Sequence, residues 1–313
     1  MKKFRVIFMG TPEFSVPCLK ALAEHTEIVG VVTQPDKPRG RGQKLQPSPV
    51  KALAEAEGFR IYQPERIKTE EFVEALEALH PDLMVVVAFG KILSQRILDI
   101  PSYGCINVHA SLLPKYRGAA PMQWSIINGE HRTGITTMFM DAGLDTGDML
   151  LKQELEITEN MTLEELHDAL MGMGANVLIE TLEQLSNGTL KRIPQTDEGS
   201  CYAPMIGKET GNIDWKEPAR AVHNLVRGLD SWPGAYTFLD GGKYKIWRTK
   251  ILDGRTDAAP GTILQADKRG LVVAAGGGLL EVAELQAPGG KRMAARDYLL
   301  GHAISLPAVF SEK

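Results

Sequence analysis

Short apolar runs alternate with segments of helical spacing along the first half of the chain. Phe4–Met9, Ile28–Thr33 and Asp82–Ala88 are almost wholly apolar, whereas Phe14–His25 repeats apolar residues at the spacing of a helix. A strand, a crossover helix and a second strand in succession indicate parallel pairing. Strands that are apolar throughout are typical of a sheet covered on both faces. The pattern therefore predicts an α/β fold built on a Rossmann-like, mostly parallel sheet.

The same periodicities give the remaining elements of this part of the chain. Helices are predicted at Val50–Glu57, Glu70–His80, Ala120–Asn128 and Leu163–Leu185, and strands at Phe59–Tyr62, Gly134–Met140 and Met149–Ile157. A further strand is predicted at the start of Gly104–Pro121, before Ser111–Pro114 breaks it. Lys115–Gly118 ends in glycine and predicts a cationic loop.

The pattern changes beyond residue 189. Gly, Pro, Ser and Thr are frequent over 190–208, where periodicity is weak. One predicted helix, Pro218–Leu229, then precedes evenly spaced short strands at Ala235–Leu239, Lys243–Leu252, Thr262–Gln265, Leu271–Ala275 and Leu279–Leu285. We predict a first domain over 1–189, a linker over 190–208, and a C-terminal OB-like β-barrel domain over 209–313. Barrels of this class often bind nucleic acid, but a sandwich with a structural role fits the spacing as well.

Composition limits the class of protein. The 313 residues are 43% hydrophobic and 24% charged, with a formal net charge of -4, which is ordinary for a globular protein. Cys18, Cys105 and Cys201 are far apart and form no CxxC pair, so neither a zinc site rich in cysteine nor a disulfide framework is predicted. The basic start is followed by too short an apolar run for a signal peptide. No run approaches the roughly 20 apolar residues of a membrane span. We expect a cytoplasmic protein with no membrane contact.

A basic segment interrupts the first domain. Gln34–Pro49 contains Lys37, Arg39, Arg41 and Lys44, and its prolines and glycines predict neither helix nor strand. It is much longer than the usual connection between a strand and a helix. The residues alone are compatible with a solvated loop and with a cationic arm that binds a phosphate-bearing partner.

Candidate chemistry is concentrated in Gly104–Pro121, which reads GCINVHASLLPKYRGAAP. Asn107 and His109 lie two positions apart, so on a strand they share one face. They would stand at the carboxyl end of a buried strand, where open α/β sheets bind ligands. The acidic turn Asp141–Asp148 offers Asp141, Asp145 or Asp148 as a carboxylate partner for the imidazole.

An amide, an imidazole and a carboxylate suit acyl transfer. Amide and imidazolium groups stabilise an oxyanion, and a base coupled to a carboxylate removes a proton from the nucleophile. The GxSxG nucleophile elbow is absent, so direct attack by a substrate amine is favoured over an acyl-enzyme. The turn after the first strand also lacks GxGxxG, which argues against a dinucleotide site. Without further context, a lone histidine near a strand end is more often structural than catalytic.

The motif resembles that of formyl-tetrahydrofolate transferases and hydrolases. It reads Asn107-x-His109-x-Ser111-Leu112-Leu113-Pro114-x-Tyr116-Arg117-Gly118 and is followed by Asp145. Three further stretches resemble the corresponding segments of those family members that formylate methionyl-tRNA. They are Thr33–Lys51, Gly143–Leu150 and Ser231–Thr237.

The resemblance implies a reaction. The formyl group of 10-formyltetrahydrofolate, as co-substrate, would pass to the α-amine of initiator methionyl-tRNA by direct attack. Asn107 and protonated His109 would stabilise the oxyanion, while Asp145 would hold His109 charged and assist proton transfer. Ser111, Leu112, Leu113 and Pro114 would border the folate pocket, and no metal is implied.

The resemblance also gives the basic segment a function. Arg39, Arg41 and Lys44 would contact the acceptor end of the tRNA, and we expect the protein to be a monomer. Two rival reactions remain open: hydrolysis of formyl-tetrahydrofolate by water, and formylation of a small-molecule amine such as a sugar nucleotide or a purine precursor. A third alternative is a non-catalytic RNA-binding protein on an α/β scaffold.

Overall fold

A seven-stranded sheet lies at the centre of the amino-terminal half in the computed structural model, which describes residues 2–39 and 44–312. Along the chain the first strands are β1 (Arg5–Gly10), β2 (Glu27–Val32), β3 (Lys37–Arg39), β4 (Lys44–Gln46), β5 (Ile61–Tyr62), β6 (Leu83–Val87), β7 (Cys105–His109), β8 (Arg117–Gly118), β9 (Arg132–Phe139), β10 (Met149–Glu156) and β11 (Tyr202–Ala203). The helices are α1 (Val16–His25), α2 (Pro49–Ala56), α3 (Glu70–Glu77), α4 (Gln95–Leu98), α5 (Pro121–Ile127) and α6 (Leu163–Ser186).

The order of strands across this sheet is β10-β9-β7-β6-β1-β2-β5. The pairs β7–β6, β6–β1, β1–β2 and β2–β5 are parallel, and β9 runs antiparallel to β7. All five residues of β6 are buried, as its apolar sequence requires of a central strand. Val86 on β6 and Phe72 and Leu76 on α3 belong to one hydrophobic cluster, so the helix covers one face of the sheet.

The basic segment departs from its prediction. β3 and β4 pair as an antiparallel hairpin in which Lys37 is opposite Gln46 and Arg39 is opposite Lys44. The prediction that prolines and glycines exclude strand was wrong here, because a two-stranded ribbon has outer edges on which the missing N–H of Pro38 breaks no ladder. Arg41 lies outside the described residues.

The base of this hairpin is fastened to the sheet. The Lys51 ammonium on α2 is 2.7 Å from an Asp36 carboxylate oxygen, and Gln63 Nε2 donates to the other oxygen at 2.7 Å. Gln34 Nε2 donates to the Phe89 carbonyl at 2.9 Å, which ties the segment to the loop after β6.

The sequence pattern also did not predict two short strands, β8 and β11. Arg117–Gly118, predicted as a loop, pairs in parallel with Tyr202–Ala203. Ile193 forms an antiparallel bridge with Met149. Residues 193–203 therefore belong to the amino-terminal unit, which comprises the chain up to Pro121, Thr133–Leu155 and His167–Ala203. The limits of the predicted linker and domains stay a prediction.

The second unit comprises Met122–Arg132, Glu156–Leu166 and the chain from Pro204 onward. Its further elements are α7 (Ala219–Gly228), β12 (Ala235–Leu239), β13 (Gly242–Leu252), β14 (Thr262–Asp267), β15 (Gly270–Ala275), β16 (Gly278–Gln286), β17 (Met293–Ala294), α8 (Ala295–Gly301) and β18 (Ala308–Val309). The order across its sheet is β12-β13-β16-β15-β14-β18, and each of these pairs is antiparallel.

A bridge joins the two ends of this second sheet. Phe238 on β12 and Ser311, just beyond β18, exchange two backbone hydrogen bonds of 3.0 Å. Inward residues of β12 alternate with half-buried ones, and Ile246, Val273 and Leu280 contribute to the enclosed core. The predicted fold class, a Rossmann-like mostly parallel sheet with a C-terminal OB-like barrel, is confirmed.

Within the part of the chain that the structure describes, no helix is both long and apolar enough to cross a membrane.

Candidate active site

Strand β7 carries the two predicted polar residues into the interior. It lies between β6 and β9, with Asn107 opposite Val86 and Met138, and His109 opposite Thr136. The His109 side chain is only 6% exposed and Asn107 is half-buried. Val108 points to the other face, where it lies against α6. Strand alternation therefore places Asn107 and His109 on one face, as predicted.

The two ring nitrogens of His109 have different partners. Nε2 is 2.9 Å from the Tyr116 carbonyl oxygen, which can only accept, so Nε2 carries a hydrogen. Nδ1 faces an Asp145 carboxylate oxygen at 3.7 Å. A proton taken up at Nδ1 would therefore complete an ion pair with Asp145.

The Asp145 carboxylate lies between the other groups of the site. Its Oδ2 accepts from the Gly118 backbone N–H at 2.8 Å, and its Oδ1 is 3.5 Å from Asn107 Nδ2. The contacts of Asp145 with Asn107 and His109 are longer than an ordinary hydrogen bond. The side chain is 14% exposed, so the cluster is reached from solvent at this carboxylate.

The acidic turn uses its three aspartates differently. Asp141 Oδ1 accepts from the Gly143 N–H at 2.9 Å and from Thr146 Oγ1 at 2.8 Å, so it shapes the turn. Asp148 binds Arg192 at 2.9 Å. Asp145 alone faces His109, and its φ of 54° lies in the left-handed region. A Cβ on Gly147 would come within 1.8 Å of the Phe139 carbonyl oxygen, so the turn requires glycine there.

The loop predicted to border the folate is held by a contact of its own and by contacts with strands β9 and β10. Ser111 is fully buried, and its Oγ donates to the Lys115 carbonyl at 2.7 Å. Leu113 packs in a cluster with Met138 and Met149. Leu112 and Pro114 are half-buried and so keep part of their surface in solvent.

Lys152 on β10 supports the same loop. Its ammonium donates to the Leu113 carbonyl, and burial lowers the pKa of Lys152. The carbonyl that precedes Pro114 is thereby fixed from the edge of the sheet.

Residues 195–203, which we call the clasp segment, lie beside the site and were missed by sequence reasoning. Gln195 Nε2 donates to the carbonyls of Asp145 at 2.8 Å and Gly147 at 2.7 Å, while its Oε1 accepts from Arg117 Nε at 3.1 Å. Cys201 Sγ accepts from the Tyr116 N–H at 3.2 Å. No local periodicity marks these contacts, because they depend on how the segment returns to the sheet.

A cavity of about 740 Å³ lies elsewhere, at the amino ends of β6 and β7. Glu77, His80, Arg96 and Asp99 are among its lining residues, and Arg96 is ion-paired with Glu77 at 3.5 Å. This cavity does not include Asn107, His109 or Asp145. We therefore identify the candidate active site by the side chains that meet at the carboxyl end of β7, and not by a cavity. Among the described residues, no group of three or more His, Cys, Asp and Glu side chains could hold a metal ion.

Family models match both halves of the chain. The model described as formyl transferase matches residues 2–182, and the model described as formyl transferase, C-terminal domain, matches residues 205–303. The chain therefore belongs to the formyl transferase family, and it is an enzyme of one-carbon formyl transfer.

Its relatives narrow the group within that family. A protein of Acetivibrio thermocellus is 54% identical over 96% of this chain and 97% of its own. One of Ruminiclostridium cellulolyticum is also 54% identical, again over 96% and 97% of the two chains. Both are named methionyl-tRNA formyltransferase, and the chain is similar to both over nearly its whole length.

A solved structure shows the same fold at low identity. The N-formyltransferase from Helicobacter canadensis, in complex with folinic acid and dTDP-3-aminofucose, superposes with a TM-score of 0.67 at 17% identity. The match covers 89% of this chain and 98% of that one.

Proposed function

We propose that this enzyme transfers the formyl group of 10-formyltetrahydrofolate to the α-amino group of initiator methionyl-tRNA. The observation that carries the proposal is the convergence of three side chains: Asp145 Oδ1 is 3.5 Å from Asn107 Nδ2, and Asp145 Oδ2 is 3.7 Å from His109 Nδ1. The chain is also 54% identical to a protein named for this reaction. An amide donor, a titratable ring and a carboxylate are the groups that amine attack on a formyl carbon requires.

The amine adds to the formyl carbon of the formyl-folate and gives a tetrahedral oxyanion. Collapse of this intermediate re-forms the carbonyl and breaks the bond to the folate nitrogen, which takes up a proton as it leaves. Asn107 has two N–H groups on Nδ2; one faces Asp145, and the other donates to the oxyanion that develops on the formyl oxygen. His109, held by the Tyr116 carbonyl, contributes its positive charge when Nδ1 is protonated. Asp145 keeps that charge in place and helps to pass the amine proton to the departing nitrogen.

The Ser111–Pro114 loop borders the folate in this proposal. Leu112 and Pro114 offer partly exposed apolar surface for a flat ring, while the buried Ser111 and Leu113 hold the loop in shape through the Lys115 carbonyl and the methionine cluster. A rigid border lowers the entropic cost of ordering the loop when the ring binds.

The basic hairpin contacts the tRNA. Arg39 and Lys44 occupy opposite register positions at the ends of β3 and β4, and Arg41 lies between these strands in sequence. Cations on a two-stranded ribbon suit the phosphates of an acceptor stem, and such contacts set affinity rather than sequence choice.

We further propose that residues 1–189 carry the chemistry, that 190–208 connect the domains, and that 209–313 bind tRNA. An OB-like barrel is a common platform for nucleic acid. The enzyme would act as a monomer in the cytoplasm, where charged tRNA and reduced folates are found together.

Tetrahydrofolate release tests the substrate assignment. We expect the purified enzyme to release tetrahydrofolate only when charged initiator tRNA is present, with one formyl-methionyl-tRNA formed for each molecule released, because the amine is the nucleophile. Uncharged initiator tRNA and a sugar-nucleotide amine serve as controls. Equal release without any amine would instead indicate a hydrolase, and turnover with the sugar amine alone would indicate a small-molecule formyltransferase.

A further inference from the structure

Every polar group of the Gln195 side chain forms a hydrogen bond, either to the acidic turn that carries Asp145 or to Arg117. Both N–H bonds of its amide are directed at carbonyls of the acidic turn, those of Asp145 and Gly147, at 2.8 and 2.7 Å. Its oxygen accepts from Arg117 Nε at 3.1 Å. A fully bonded amide in one orientation cannot rotate without breaking three hydrogen bonds.

The turn that Gln195 holds needs such support. Asp145 has a φ of 54°, a conformation that few residues with a Cβ adopt. The direction of its carboxylate follows from the backbone on either side of it. Fixing the carbonyls of Asp145 and Gly147 therefore limits the directions in which the carboxylate can point, and the Gly118 N–H selects among them.

The clasp segment holds the other side of the carboxylate as well. Tyr202–Ala203 pair with Arg117–Gly118, and the Gly118 N–H donates to Asp145 Oδ2 at 2.8 Å. A Cβ on Gly118 would come within 2.5 Å of the Tyr202 ring, so only glycine allows this close pairing. Gln195 is thus the one side chain of the clasp segment for which the described contacts reach both the Asp145 turn and Arg117.

We propose that Gln195 is a positioning residue that sets the Asp145 carboxylate against His109 and Asn107. The proposal rests on the proposed function, because it assigns Gln195 a part in the same formyl transfer. It acts through the backbone of the turn, with no contact to substrate, so its loss should affect the chemical step more than the binding of either substrate.

Gln195→Glu separates the two contacts of the side chain. The variant keeps an oxygen acceptor for Arg117 but places a second oxygen against two carbonyl oxygens of the turn. We expect kcat to fall about 10- to 100-fold, since a displacement of about 1 Å in a catalytic group can cost that much. KM for charged tRNA and for formyl-folate should change by less than about twofold. Gln195→Met, which removes the donors and the acceptor without adding charge, tests the whole amide if the glutamate variant does not fold.

The matched control is Gln153→Glu, an exposed glutamine on β10 that undergoes the same change of charge. It should leave kcat unchanged. Equal loss of kcat in both variants would show a general effect of negative charge and would overturn the proposal.

A double-mutant cycle with Asp145 isolates the positioning role. In an Asp145→Ala background there is no carboxylate to position, so Gln195→Glu should cause no further loss of single-turnover rate. The same fractional loss in both backgrounds would show that Gln195 acts on the fold alone.

The Gly118 amide resonance gives a readout that does not depend on activity. In protein labelled with ¹⁵N-glycine, Asp145→Asn identifies the peak that reports the Gly118 contact to Oδ2. Gln195→Glu should move the same peak, and Gln153→Glu should not. An unmoved peak with unchanged kcat refutes the inference, whereas a moved peak in an enzyme that fails to formylate methionyl-tRNA refutes only the proposed function.

Discussion

At the scale of single residues, burial and partners decide what a histidine does. His109 presents one nitrogen to a carbonyl and the other to a carboxylate, so protonation adds an ion pair. His223 on α7 is 3% exposed, with Nδ1 2.9 Å from Thr249 Oγ1 and Nε2 3.3 Å from the Glu159 carbonyl. Its burial lowers the pKa of His223, so this ring resists protonation in the folded state.

That lowered pKa predicts a loss of stability in mild acid. The unfolded chain binds a proton at His223 near the ordinary value of about 6.5, while the folded protein does not until the pH is lower. The free energy of unfolding should therefore fall as the pH drops from about 6.5 through the pKa of the folded state, by up to about 1.4 kcal/mol per unit. Urea unfolding of wild type and His223→Gln at several pH values measures the difference. Parallel curves for the two proteins would show that His223 does not contribute.

Residue-scale prediction from sequence succeeded where geometry is local. Asn107 and His109 are two residues apart on a strand, and this spacing alone places both side chains on one face. The choice of Asp145 among three aspartates needed a resemblance, because turn geometry decides it. Gln195 could not be predicted, since its partners at Asp145 and Gly147 lie about 50 residues away in the sequence.

At the scale of elements, long periodic segments were predictable and short paired ones were not. β6 and α6 follow from their apolar patterns because each is buried along its length or one face. β3 with β4, and β8 with β11, consist of two or three residues each, and pairing between segments defines them. Pairing depends on tertiary contacts that no local pattern contains.

The hairpin formed by β3 and β4 depends on Asp36 at its base. Hydrogen bonds from Lys51 and Gln63 hold the pKa of Asp36 below its usual range, so the carboxylate stays charged. Asp36→Asn should loosen the hairpin and raise KM for charged tRNA about threefold, with kcat nearly unchanged, because an ion pair that is still partly in solvent contributes modestly. Steady-state kinetics at two salt concentrations provides the measurement.

Glu55→Gln is the control for that variant. Glu55 lies 3.9 Å from the same Lys51 ammonium but on the helix rather than in the hairpin. It should leave KM for tRNA unchanged. If both variants behave alike, the anchoring by Asp36 is wrong.

At the scale of the whole molecule, each unit has its own sheet and hydrophobic core. The first is built around β6 and its parallel neighbours, and the second is closed by the bridge between Phe238 and Ser311. The change from helix-strand alternation to evenly spaced short strands predicted the two kinds of sheet. The closing bridge was beyond sequence reasoning, since it joins residues 238 and 311 through two isolated hydrogen bonds.

The central claim is that Asn107, His109 and Asp145 together perform formyl transfer. The most direct measurement is the single-turnover rate of formyl-methionyl-tRNA formation with both substrates saturating, for Asn107→Ala, His109→Ala and Asp145→Ala. Asp168→Ala, an exposed aspartate on α6, is the control. We expect losses of about 100- to 1,000-fold for an oxyanion donor such as Asn107 and losses of similar order for the other two, with the control unchanged. Rates close to wild type in the three variants would contradict the central claim.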